Sequence, residues 1–88
     1  MTFESRVSAE FWEAYEDLPE KVQRQADKTY ELFVSNPAHP SLFLKKVGPF
    51  WSARVSLEYR ALAYQEGNVL FWFWIGPHAE YDKLLSRL

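Results

Sequence analysis

From Val69 to Ile75 the chain is apolar or aromatic at every position, Val-Leu-Phe-Trp-Phe-Trp-Ile, and Gly76-Pro77 closes the run. Seven such residues without alternation suit one strand buried on both faces, and they are far too few to cross a bilayer. His78, Glu80, Tyr81 and Asp82 follow directly behind the glycine and proline. Titratable groups thus stand at the end of a rigid core strand, which fixes side chains that a loop would leave mobile.

A chain of 88 residues is expected to form a single domain, 1–88, with a core near the lower limit for independent stability. An aromatic fraction of 18% offsets the small size, because Phe, Tyr and Trp each bury on the order of 150–250 Å². With no cysteine there is no disulfide and no thiolate metal site. Together with an N-terminal Met1–Arg6 that lacks an apolar signal region, this leads us to expect a cytoplasmic protein without a membrane segment. Two histidines and no cysteine disfavour an all-protein zinc site, and no cofactor is expected. The net charge of −2 hides an asymmetry. Residues 1–44 carry four Lys/Arg against eight Asp/Glu, and residues 45–88 carry six against four. A face built from the second half is able to accept a polyanion, although a generic RNA-coating protein would be far more basic.

Along the chain, Thr2 to Val7 reads as a short edge strand. Ser8 is a good N-cap, and Phe11, Trp12, Tyr15 and Leu18 recur at helical spacing, predicting a helix over 9–17. Pro19 ends it and opens a second helix with the stripe Val22, Ala26, Tyr30 and Phe33. Asn36 to Ser41 is a turn cluster. Strands are then expected over Leu42–Val47 and from Trp51 onward. The second is read as running on to Tyr64 through a bulge, because the apolar phase slips near Leu57–Tyr59. Glu66-Gly67-Asn68 is a hairpin turn, Val69–Ile75 the central strand, and residues from His78 a closing helix. The expected fold is α+β: a helical hairpin packed on one face of an antiparallel sheet, with a short C-terminal helix.

The order β–αα–βββ–α, Asn-Pro-x-His-Pro-Ser-Leu at 36–42, Trp-Ser-x-Arg-Val at 51–55, Tyr-Arg-Ala-Leu at 59–62 and Trp-Phe-Trp-Ile-Gly-x-His-Ala-Glu-Tyr-Asp at 72–82 resemble the RelE/ParE superfamily of toxin–antitoxin toxins. The resemblance covers nearly the whole chain. It implies either a toxin that cuts mRNA without metal, often on the ribosome, or one that poisons DNA gyrase by binding alone. In both cases a partner antitoxin neutralises it. A degenerate toxin fold that only binds an antitoxin is the third possibility.

Metal-free RNA cleavage needs a deprotonated 2′-hydroxyl, cations around the phosphorane and an acid for the leaving 5′-oxygen. His78 matches the family's active-site position after the last strand, and its unperturbed pKa suits proton transfer near neutrality. Arg54 and Arg60 follow family positions that hold the scissile phosphate, a task suited to guanidinium forks. The alternative for each is a solvent-facing arginine paired with Glu58 or Glu66. Lys45 and Lys46 loosely match a basic pair that binds substrate. Being adjacent in a strand, at most one faces the substrate, and solubilising an edge is the commoner task. Glu80 is a candidate base or an orienter of His78, and Tyr81 a candidate base-stacking or proton-carrying group. Against these, Glu80 and Asp82 complement a helix dipole, and Tyr81 packs on the sheet. His39 reads as structural.

Overall fold

The structure, a computed structural model, describes residues 3–87. Thr2, placed in the expected first strand, lies outside that range. The elements are β1 (Glu4–Val7), α1 (Ala9–Glu16), α2 (Glu20–Ser35), a single 3-10 turn (Pro40–Leu42), β2 (Lys45–Val47), β3 (Phe50–Arg54), β4 (Tyr59–Glu66), β5 (Val69–Pro77) and α3 (His78–Leu85).

Local chemistry sets the helix ends. The Ser8 hydroxyl accepts from the Phe11 N–H at 3.3 Å and caps α1. Hydrogen bonds from the main-chain N–H of Glu10 and from the Ser8 side chain hold the Glu10 carboxyl below its ordinary pKa. Pro19 stands just before α2 rather than inside it, as its N-cap. The two helices are tied near their junction. Gln23 Nε2 donates to the Tyr15 carbonyl at 3.0 Å, and the Tyr15 hydroxyl donates to Asp27 at 2.8 Å. That second bond, made by the neutral phenol, raises the Tyr15 pKa.

The five strands lie in the order β1-β5-β4-β3-β2. From β2 to β5 the pairing is antiparallel, as expected, but β1 joins β5 in parallel and makes the sheet mixed. Two-residue links, Gly48-Pro49 and Gly67-Asn68, close the outer hairpins, with φ of 57° and 59° at their glycines. Three expectations change. The strand read from Trp51 to Tyr64 is two strands, β3 and β4, with a turn over 55–58. The slip of apolar phase marks a chain reversal, and it leaves Leu57 77% exposed. The strand read from Leu42 starts only at Lys45, because Leu42 belongs to the 3-10 turn that drops its side chain into the core. Gly76-Pro77 does not end β5 either; both residues stay in register, opposite Arg60 and Tyr59.

On one face, the inner one, Ala53, Ala61, Ala63, Leu70, Trp72 and Ile75 meet Leu18, Val22, Ala26 and Phe33 of the helical hairpin. Each large side chain buried there contributes about 1.5–3 kcal/mol. Three alanines under the helices allow close approach, and Phe33 meets Trp72 edge to face at 5.4 Å. The expected helical stripe holds except at Tyr30, which is 38% exposed on the rim.

The bulge lies between β4 and β5. Leu62 faces Trp74 and Ala63 faces Trp72, so Phe73 is the extra residue. Trp72 and Ile75, three apart, therefore both point inward. Phe71, Phe73, Trp74 and Gly76 go to the opposite, outer face, where Phe71, Phe73 and Trp74 are only partly buried. The strand expected to be buried on both sides is covered fully on one. On the outer face Gly76 is held to glycine by space: an added Cβ would lie 2.5 Å from the Trp74 ring. Gly76→Ala is expected to cost about 1–3 kcal/mol through overpacking, read as a lower urea midpoint with unchanged slope.

Candidate functional site

Side chains directly opposite one another in an antiparallel sheet share a face. The registers of β2 to β5 therefore assign the outer-face rows: Val47, Phe50, Tyr64 and Phe71; then Lys45, Ser52, Leu62 and Trp74; then Arg54, Arg60 and Gly76. Lys46 belongs to the other face with Trp51, and its ammonium stands 5.5 Å from that ring. Of the two expected lysines, Lys45 alone joins the arginines.

Lys45, Arg54 and Arg60 line one groove of about 320 Å³ together with Phe43, Leu44 and Ser52. No carboxylate lines it, and none lies within 4 Å of these three cations among the described residues. The ion pairs with Glu58 or Glu66 that offered a bland reading of the arginines do not form. Two like charges face each other directly at Arg54 and Arg60, an arrangement that destabilises a sheet unless something separates them. Their guanidiniums diverge. Arg60 Nη1 donates to the carbonyls of Ser56, Tyr59 and Leu57 at 2.6, 3.0 and 3.3 Å and braces the β3–β4 turn. Arg54 lies over the Phe43 ring, 4.8 Å from its centroid.

Phe43 escaped the sequence reading. It follows the 3-10 turn in the left-handed region, φ 46° and ψ 41°, and is 58% exposed. A bulky side chain in that conformation is strained by about 1–3 kcal/mol, and such strain clusters at functional sites. Nothing in Leu-Phe-Leu-Lys signalled it, since alternating apolar residues read as strand. Ser52 escaped as well. It is 2% exposed, and its hydroxyl accepts from the buried Tyr81 at 2.9 Å, pinning α3 over the second row.

His78 opens α3. Its N–H donates to the Glu58 carbonyl at 2.6 Å, tying the helix to the turn that Arg60 braces. The half-exposed imidazole meets Asp82 through Nδ1 at 3.0 Å and lies 5.6 Å from the Tyr81 ring, centroid to centroid. Nε2 has no partner among the described residues. Tyr81 is buried with its hydroxyl engaged, so it reaches the groove only through Ser52. Glu80 points elsewhere, into a separate cleft lined by Ala14, Asp17, Pro19, Tyr59 and Trp74. His39 caps the 3-10 turn, its Nδ1 accepting from the Ser41 N–H. Among the described residues no three His, Asp or Glu side chains gather as a metal site, and no helix is long and apolar enough to cross a membrane.

No family model matches the chain, and neither does any curated protein sequence. Solved structures match over almost their whole length. YafQ from E. coli strain BL21(DE3) is 11% identical and superposes with a TM-score of 0.71, covering 91% of this chain and 98% of YafQ. The RelBE2 toxin–antitoxin complex from Mycobacterium tuberculosis gives 0.68 at 13% identity, over 89% and 100%. The RelE–RelB complex from Pyrococcus horikoshii OT3 gives 0.64 at 16%, over 88% and 96%. The chain has an α+β fold, with a helical hairpin on a five-stranded sheet, and shares it with YafQ and with these RelE complexes.

Tyr81→Phe leaves the buried Ser52 hydroxyl without its donor and is expected to lower stability by about 1–3 kcal/mol, measured by chemical denaturation. Phe43→Gly removes the left-handed strain together with the ring. It should fold at least as stably as wild type by thermal melting, while losing the platform beneath Arg54.

Proposed function

We propose that the protein is the toxin of a type II toxin–antitoxin system and acts as a metal-independent endoribonuclease on mRNA. One observation carries the catalytic part: among the described residues, three cations line a groove free of carboxylates, and α3, pinned to the Ser52 that also lines that groove, begins with a histidine whose Nε2 has no partner. Lys45, Arg54 and the unengaged part of the Arg60 fork suit a phosphodiester and the added charge of its phosphorane. The 2′-oxygen attacks phosphorus and gives up its proton. The bond to the 5′-oxygen breaks, leaving a 2′,3′-cyclic phosphate, and that oxygen takes a proton to become a 5′-hydroxyl. His78 is suited to one of these transfers through Nε2, with Asp82 holding Nδ1 and fixing the tautomer. Glu80 and Tyr81 are not placed to touch the phosphate, so the reading rests on His78, Arg54, Arg60 and Lys45.

An antitoxin partner is part of the same proposal. The RelBE2 structure of this fold is a toxin–antitoxin complex, and the helical hairpin exposes Trp12, Tyr30 and Val34. Those exposed residues also favour a second reading, a toxin that docks on DNA gyrase without chemistry of its own. Whether mRNA is met on the ribosome belongs to the proposal, as does cytoplasmic action.

The test is inducible expression in a bacterium, with RNA 5′ ends mapped within minutes. Wild type should create new 5′-hydroxyl ends. His78→Ala and Arg54→Ala should lower their yield at least a hundredfold, with both variants folded by circular dichroism. Growth arrest with DNA damage and unchanged RNA ends would replace the nuclease by the gyrase reading.

A further inference from the structure

The outer face carries a second feature that the cleavage chemistry does not use. Beyond the Lys45 and Ser52 row lies a patch of four rings: Phe50, Tyr64 and Phe71, joined by Phe73 from the bulge. Tyr64 stacks on Phe71 at 5.1 Å and 14°, while Phe73 lies 5.0 Å from Phe50 and 6.0 Å from Tyr64. Tyr64 is 37% exposed and the three phenylalanines are partly exposed, because α3 is pinned over the neighbouring row at Ser52. Aromatic side chains usually dominate cores, so four of them left open on one sheet face ask for an occupant.

We propose that this patch is a base-stacking platform for the single-stranded RNA whose phosphate sits in the cationic groove. The inference rests on the nuclease reading and adds how the strand is held. Continuity and charge argue for it. Along a strand, two residues advance about 6.7 Å. Lys45 therefore lies about that far from the ring row, and the Arg54–Arg60 row about 13 Å away. The middle row is covered by α3 at Ser52 but open at Lys45, on the edge strand β2. A backbone held at the arginines and running past Lys45 along that edge delivers its next bases to the rings. Stacking tolerates every base and adds affinity without adding charge. A weakly charged protein of this kind thereby gains hold on RNA that the dense lysine clusters of a strongly basic protein would otherwise supply.

The experiment uses the full chain and a fluorescein-labelled 12-nucleotide RNA of mixed sequence, methylated at every 2′-hydroxyl so that it cannot be cut. Affinity is read by anisotropy across a salt series. Tyr64→Leu combined with Phe71→Leu keeps apolar bulk but removes the rings; it should weaken binding at least tenfold with an unchanged salt slope. Tyr64→Leu alone, at an exposed position, should lose several-fold even if the double variant folds poorly, and Tyr64→Trp should retain binding. Arg54→Ala should instead flatten the slope by about 0.7. Unchanged affinity in the leucine variants, with a flattened slope in Arg54→Ala, would overturn the platform and leave the cationic site standing. No binding by wild type would remove both. Loss of a co-expressed antitoxin from the leucine variants, with RNA binding intact, would assign the rings to the protein partner and overturn the proposal.

Discussion

The single extra residue at Phe73 organises both faces of the sheet. Strand β5 has to place Trp72 against Phe33 and Ile75 beside Ala61, under the helical hairpin, although a regular strand would send residues three apart to opposite sides. The bulge resolves the conflict by shifting the phase once. The core then closes on the inner face, while Phe71, Phe73, Trp74 and Gly76 remain outside. Gly76 takes its place opposite Arg60 in the outermost row. Because the bulge keeps β4 and β5 in register on either side of itself, the arginine row, the Ser52 row and the aromatic row all fall on one surface.

That surface is polarised. At its far end, cations stand together without compensating acids among the described residues, while most acidic residues lie on the helical hairpin and at α3. Such separation costs self-repulsion in the free protein. It is held by specific restraints: Arg60 clasps the carbonyls of the β3–β4 turn, Arg54 rests on a strained Phe43, and Tyr81 locks α3 to Ser52. The restraints pre-orient the groups, so little side-chain ordering is left for the moment an anion binds. The acidic pI of about 5.6 is thus compatible with an anion-binding face, because local charge and not the total governs the field in a groove.

The proposed division of labour follows from these placements. Under the proposed function the β3–β4 arginines and Lys45 are the groups that address a phosphate, His78 the group that moves a proton, and Asp82 the one that positions the imidazole. Glu80, which by sequence stands beside His78, is turned some 100° per residue around a helix axis into a different cleft. Tyr81, one residue further, is turned onto the sheet and becomes a strut. Neighbours in the chain therefore meet different surroundings, Glu80 a cleft beside α1 and Tyr81 the Ser52 hydroxyl of the sheet.

Much of the fold was legible because it depends on local periodicity. Ser8 and Pro19 marked the helix starts, the 3.6-residue stripe named Val22, Ala26 and Phe33, and the glycine at 67 marked a hairpin. The sequence also singled out His78, Glu80, Tyr81, Arg54 and Arg60 through their motifs, and Lys45 and Lys46 as a basic pair, without telling which of them share a face. What it did not determine depends on contacts between distant segments. A slip of apolar phase at Leu57–Tyr59 is equally a bulge or a reversal until β3 and β4 are seen to pair. An unbroken apolar run from Val69 carries no trace of the bulge at Phe73, since every residue in it is acceptable on either face. The left-handed Phe43, the buried Ser52–Tyr81 bond and the parallel pairing of β1 with β5 likewise had no local signature. Periodicity named the elements and motifs named the charges. Pairing register, a long-range property, decided which of those charges share a face.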